Sequence, residues 1–186
     1  ITPIGKEGVF NADSIARFQS GDAKLSVISI EPLEVTTDIA SYIKAEKAAG
    51  AKVLVIPHWG TEYEAIHNSS QAKLAHSWIN AGADIVIGGH PHVVEDAELY
   101  NGKPIFYSLG NLLFDQTFSK ETQRGLIVAG EFNGDKLTLT LLPTKSVNMK
   151  PSLLTGAEKT DLISSLRKNL GLPTTDTGYG FDKIEI

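Results

Sequence analysis

Val53-Leu54-Val55-Ile56-Pro57-His58-Trp59-Gly60 and Asp84-Ile85-Val86-Ile87-Gly88-Gly89-His90-Pro91-His92 are the two stretches on which the fold turns. Each is a short apolar run, closed by proline or glycine and followed at once by histidine. A continuous apolar run of this length reads as a strand covered on both faces, the kind found in parallel sheets. Between the two, residues 68–81 place Leu74, Ala75, Trp78 and Ile79 on one helical face, with Asn68 and Gln71 at capping-box spacing and Gly82 as the stop. Upstream, residues 25–30 repeat the strand pattern. Residues 37–49 repeat the helical one, with Ile39 and Ile43 on one face and Gly50 beyond. Strand, helix, strand, helix, strand predicts βαβ units with right-handed crossovers and a parallel sheet.

Outward from this centre the pattern changes. Residues 1–21 are irregular apart from a short helix expected over 13–18. Asn101-Gly102 reads as a hairpin turn, and strands are expected over 104–109, 125–132 and 137–142, the last two joined by Asn133-Gly134. These predict a second, antiparallel sheet. Residues 155–170 read as an amphipathic helix packed on the sheet, with a Thr155/Glu158 capping box, an apolar stripe of Leu162, Ile163, Leu166 and Leu170, and Gly171 as the stop. Residues 173–186 read as an extended tail. The expected class is α/β: a parallel βαβ sheet followed by an antiparallel sheet, helices on the outer faces, and all 186 residues in one domain without internal repeats.

Composition limits the function classes. With 41% hydrophobic and 21% charged residues the chain has an ordinary globular profile, and at this length it buries about 70% of its unfolded surface without needing a staple. Its 17 basic against 22 acidic residues give a net charge of −5, which argues against nucleic acid as a bulk partner. With no cysteine, any metal must be held by His, Asp, Glu or Asn. No apolar run reaches the roughly 18 residues of a membrane span. The first residue is Ile1 and the single methionine is Met149, so the sequence reads as a processed or truncated piece of a longer product.

In parallel sheets ligands gather at the carboxyl ends of the strands, where His58, His90 and His92 fall. Pro91 favours extended geometry at His90, and in an extended segment residues two apart project to one side. Two preceding glycines, Gly88 and Gly89, allow close backbone approach. Three imidazoles are therefore expected to converge as ligands for a divalent transition metal. His67, in a loop, and His76, on the polar side of its helix and expected to be solvated, stand outside this set. Glu62 is a candidate base or amine binder and Asn111 a candidate substrate contact or loop anchor. Trp59 reads as core packing or a pocket wall, Asp84 as a turn residue, and Asp96 as a surface charge.

The segments Pro57-His-Trp-Gly-Thr-Glu-Tyr63, Gln71-Ala-Lys-Leu-Ala75, Ala83-Asp-Ile-Val-Ile-Gly-Gly-His-Pro-His-Val93 and Tyr107-Ser-Leu-Gly-Asn111 resemble the CapA-type poly-γ-glutamate capsule biosynthesis proteins, over about residues 25–132. These are similar to the calcineurin-like metallophosphoesterase superfamily. The resemblance implies two divalent ions (Mn, Fe or Zn), about 3.5–4 Å apart, that clamp an attacking hydroxide and a phosphoryl oxygen. It matches His58 and His90 to ligands of one metal and His92 to a ligand of the other. The family's remaining ligands, an early aspartate motif, a bridging Asp and an Asn-His pair, have no match here, and Asp22, before a strand rather than after one, does not replace them. A bridging carboxylate offsets the repulsion of two dications, which three neutral histidines cannot do.

The resemblance thus implies the carboxyl-terminal part of a metallophosphoesterase-like sandwich, holding fewer ions by itself and inactive alone, with the missing amino-terminal half as its first partner. It implies an extracytoplasmic place at the bacterial envelope, with poly-γ-glutamate or envelope synthesis proteins as further partners. Three readings of function follow: a metal-dependent phosphoesterase-like hydrolase, a non-catalytic polymer-binding or scaffold subunit, and a mononuclear three-histidine zinc site.

Overall fold

The computed structural model describes residues 4, 10–31, 38–174 and 182–186. The expected helix start at residue 37, most of the irregular opening and residues 175–181 of the expected tail lie outside these. Among the described residues ten strands and three α-helices follow in order: β1 (Ile15–Ser20), β2 (Ala23–Ile30), α1 (Ile39–Ala48), β3 (Lys52–Pro57), α2 (Ser69–Ala81), β4 (Ile85–Ile87), β5 (Ala97–Tyr100), β6 (Lys103–Phe106), β7 (Arg124–Asn133), β8 (Lys136–Val147), β9 (Lys150–Leu153), α3 (Gly156–Asn169) and β10 (Lys183–Glu185).

The first sheet runs β1-β2-β3-β4-β6-β5. Its centre is parallel, with Ile30 beside Pro57, Val55 beside Val86, and Val86 beside Ile105. The second sheet orders β10-β8-β7, with β9 also on β8, and is antiparallel throughout. The α/β class with a mixed sheet and a second antiparallel sheet is therefore the observed one. On one face of the first sheet, Ile39 and Ile43 of α1 and Ala75, Trp78 and Ile79 of α2 pack on Ile28, Val53, Val55 and Val86. On the other, Ile85 and Phe106 share a core with Leu139 and Leu141 of β8 and with Ile163, Leu166 and Leu170 of α3.

The helix start and stop signals of α2 are realised in full. The Asn68 side chain accepts from the Ser70 and Gln71 amides, Gln71 reciprocates, and Gly82 closes the helix in the left-handed conformation. Several local expectations give way to tertiary demands. The helix expected over 13–18 is instead a single 3-10 turn at Ala12–Ser14 leading into β1. Gly21-Asp22 turns the chain so that Ile15 pairs across to Ile28, and Arg17 then reaches the Glu46 carboxylate on α1. The Asn101-Gly102 hairpin is present. It joins β6 to the unanticipated β5, however, and β6 extends the parallel sheet rather than opening the second one.

The run in β3 is covered on both faces, by α1 and α2 over Val53 and Val55 and by the second core against Leu54, except at its carboxyl end. Val53 and Val55 are buried, while Ile56 is exposed at the carboxyl edge. Leu74 also stands in solvent, the buried stripe of α2 being Gln71, Ala75, Trp78 and Ile79. The Thr155/Glu158 capping box does not form: Glu158 pairs with Arg124 of β7 at 2.8 Å, and Thr155 makes no side-chain cap. The end of the expected tail is ordered as β10 against β8.

Asp84, expected as a turn residue, staples the sheet to α1 and β6. Its buried carboxylate accepts from the Val53 amide at 2.8 Å, Lys47 Nζ at 2.7 Å and Lys103 Nζ at 3.2 Å. Burial pushes this carboxyl up, but Lys47, the Val53 amide and Lys103 together outweigh it and hold it below the ordinary aspartate range. Because its folded pKa is depressed, the stabilisation is present above the unfolded pKa and is lost as pH falls through the folded value. Asp84→Ala is expected to cost about 2–4 kcal/mol in urea unfolding at pH 7. The difference from the unmodified chain should shrink below about pH 4.

Candidate metal centre

The carboxyl edge of the first sheet is a row of adjacent strand ends. Glu31 follows β2, His58 follows β3, and Gly89-His90 follows β4. Backbone bonds lock the row together: the His58 amide donates to the Ile30 carbonyl at 2.8 Å, and the Trp59 amide to Gly89 at 3.0 Å. The Gly89 amide in turn donates to Pro57 at 3.0 Å. Gly88 is required, since a Cβ there would meet the Tyr107 carbonyl at 2.1 Å and Trp59 Nε1 at 2.3 Å. Gly89 is not, because a Cβ there meets nothing within 4 Å.

The two histidines of His90-Pro91-His92 do converge, by another route than extended backbone. His90 has φ of 100° and His92 of 62°, in the region that side chains other than glycine rarely adopt, so strain is held here by the surrounding bonds. The Tyr63 amide clamps the intervening Pro91 carbonyl at 2.8 Å, and Tyr63 itself has a positive φ. Their ligand atoms and one from Glu62 all lie within 4.8 Å of one another. This is the one such His/Asp/Glu group of three or more among the described residues. His58 flanks it, its ring 4.6 Å from that of His90, and His90 lies 5.9 Å from His92. Burial first, and then His58 and His92, hold His90 below the ordinary imidazole range and so favour the neutral form that binds metals.

Glu62 is exposed and approaches His92 Nε2 at 3.6 Å. Asn111 is buried, with its carboxamide oxygen 3.0 Å from His92 Nδ1. Glu31, which the sequence reading passed over, stands 4.0 Å from His58 Nε2. The rule that singled out His58, a polar side chain immediately after an apolar strand at this edge, would also have found it. Asp22 sits in the β1–β2 turn, where β2 begins, at the opposite edge from the histidines.

His67 and His76 stay outside the group, for a reason the sequence did not disclose. His67 stacks on Tyr107 at 3.8 Å and bonds Asp96 at 3.0 Å, so Asp96 is a partner rather than a surface charge. His76, expected to be solvated, stacks on Tyr100 at 3.8 Å and bonds Glu98 at 2.9 Å. Trp59 is core, stacked between Trp78 and Tyr107.

Behind the loop lies a carboxyl that sequence reading missed. Glu95 is 2% exposed, accepts from Gln71 Nε2 at 2.8 Å, and leaves Oε1 without a hydrogen-bond partner. Burial chiefly, aided by the Asp96 charge and opposed by the Gln71 amide, raises it to about 7. The native state thus keeps a proton that the unfolded chain releases near the ordinary glutamate value. Stability should therefore fall as pH rises through this window and level off above about pH 7. Glu95→Gln should abolish this component. Between pH 5 and pH 8 the unmodified chain should lose on the order of 2–3 kcal/mol relative to the variant in urea unfolding.

Comparison with known proteins gives this edge its context. Residues 6–116 match the family described as bacterial capsule synthesis protein PGA_cap. The chain is 42% identical over 105 residues to the PGA biosynthesis protein CapA of Bacillus subtilis, covering 56% of this chain and 27% of that protein. It is 29% identical over 193 residues to the capsule biosynthesis protein CapA of Bacillus anthracis, covering 100% of this chain and 44% of the relative. A probable polyglutamine synthesis accessory protein of Mycobacterium tuberculosis is 30% identical over 136 residues, 69% of this chain and 35% of its own length. The chain thus spans less than half the length of each of these relatives. The sequence motifs around the histidine edge and the match across residues 6–116 agree, and the chain belongs to the bacterial capsule synthesis protein family PGA_cap.

Proposed function

We propose that this chain supplies the histidine side of a divalent-metal centre for phosphoester-type hydrolysis, serving the assembly of a γ-linked glutamate polymer at the bacterial envelope. The observation that carries the reading is the convergence of Glu62, His90 and His92 within 4.8 Å at the carboxyl edge, with His58 against His90. The donor set fits a borderline transition ion such as Mn, Fe or Zn: neutral imidazoles and a carboxylate whose negative charge offsets part of the dication.

Glu62, His90 and His92 would hold one ion. His58, with Glu31 beside it, offers the start of a second position that needs donors from outside this chain. A bound ion supplies a water of lowered pKa and polarises a phosphoryl oxygen. The residues here do the preparatory work. His90 is held below the ordinary imidazole range, His58 is fixed by the strand ends, the Pro91 carbonyl between His90 and His92 is clamped by Tyr63, and Glu62 stands exposed where a substrate or water would arrive. The missing donors, the polymer and the envelope proteins are the partners this reading calls for.

Calorimetric titration of the purified chain with Mn²⁺ or Zn²⁺ tests it. A single ion is expected to bind, with His90→Ala and His92→Ala each weakening affinity at least about tenfold and Glu62→Gln less. Hydrolysis of p-nitrophenyl phosphate by the chain alone is expected to be absent. Failure to bind either ion would overturn the metal reading and favour a non-catalytic scaffold.

A further inference from the structure

Asn111 follows the turn at Gly110, where φ is 66° and a Cβ would meet the Arg124 carbonyl at 2.7 Å. The turn sends the Asn111 side chain beneath residues 112–122, where it is 8% exposed. Its Nδ2 donates to the Thr122 carbonyl at 3.0 Å and to Gln116 Oε1 at 3.3 Å. A backbone carbonyl can only accept, so that end of the carboxamide is the amino group. The other end, which faces His92, is therefore oxygen. Gln116 fits this polarity: its Oε1 accepts from Asn111 Nδ2, and its Nε2 lies 3.1 Å from the Tyr63 hydroxyl, which can accept.

A carboxamide oxygen also only accepts. Its partner at 3.0 Å, His92 Nδ1, must then carry the proton. A neutral imidazole has a single N–H, so Nε2 holds the lone pair. Nε2 is the atom turned toward Glu62. Phe114 stacks on the His92 ring at 5.0 Å and Tyr63 at 6.0 Å, which resists rotation of the imidazole.

We infer that Asn111 is a positioning residue: it fixes His92 in the Nδ1–H tautomer and so aims the Nε2 lone pair at the ion site. The inference rests on the proposed metal reading for its purpose, though the tautomer itself does not. A histidine side chain in water prefers the opposite, Nε2–H tautomer, in which the atom facing the site would be blocked by a proton. Partners of this kind on the far nitrogen of a metal-ligating histidine are worth about 10–100-fold in metal affinity. The apparently remote Ser108-Leu-Gly-Asn111 segment thus acts on the site through one hydrogen bond.

The test is ¹H–¹⁵N correlation through the imidazole ring of the histidine-labelled, metal-free chain at about pH 8, where imidazole is neutral. His92 is expected as Nδ1–H. Asn111→Ala should shift it toward Nε2–H and weaken Mn²⁺ or Zn²⁺ binding about 10–100-fold. Gln116→Ala, which leaves the Asn111 bond to His92 untouched, should keep the Nδ1–H signature in place. An Nε2–H signature in the unmodified chain overturns the inference even if Asn111→Ala fails to fold. So does an unchanged tautomer in a folded Asn111→Ala. Nδ1–H with no metal binding by the unmodified chain would instead overturn the metal reading alone.

Discussion

The carboxyl edge is organised by one hydrogen bond. Trp59 Nε1 donates to the Tyr107 carbonyl at 2.8 Å, directly over Gly88. It ties together the exits of β3, β4 and β6, and only a residue without a Cβ leaves room for it. Trp59 can make this bond because its ring is fixed in a buried aromatic stack: Trp78 of α2 at 5.4 Å on one side, Tyr107 at 5.9 Å on the other. With the three exits fixed, His58, His90 and Asn111 leave the sheet from neighbouring points. The positive φ values at His90 and His92 are held between these exits, with the intervening Pro91 carbonyl bonded to the Tyr63 amide.

Across the sheet the histidines are sorted by their partners. His67 and His76 each have a close carboxylate, Asp96 or Glu98, and each lies flat on a tyrosine ring. The Tyr107 hydroxyl donates to Glu98 at 2.6 Å, which pushes its own ionisation up, beyond what burial already does. His58 and His90 face one another, and His92 touches a neutral amide and, at longer range, an exposed glutamate. For His90, burial and the neighbouring His58 and His92 disfavour the charged ring, which leaves it better disposed to share a cation than to become one.

Much of this was legible in the sequence. The parallel centre followed from short apolar runs alternating with capped helices, and the location of the site followed from where those runs end. The signals that failed were local ones overruled by distant partners. Residues 13–18 have helical character, yet the Gly21-Asp22 turn and the Glu46 carboxylate on α1 recruit them as a strand. Glu158 has the spacing of a capping residue but is taken by Arg124. Pro91 did suggest that His90 and His92 share a direction, but the mechanism was a pair of left-handed residues rather than an extended segment. Glu31 lies within reach of the strand-end rule and Asn111 reads as a substrate contact or loop anchor, but the bond of Asn111 to His92 and the burial of Glu95 depend on which segments become neighbours, and no spacing within a single segment encodes that.

The claim on which the account stands is that the histidine edge is where a divalent ion binds. Paramagnetic broadening by substoichiometric Mn²⁺ in the amide spectrum of the ¹⁵N-labelled chain locates the ion without reference to any activity. The account predicts that signals from residues 58–63, 89–93 and 111 vanish first, with residues of the β1–β2 turn at the opposite sheet edge unaffected. Broadening centred on that turn, or spread evenly over exposed carboxylates with the histidine edge spared, would contradict it.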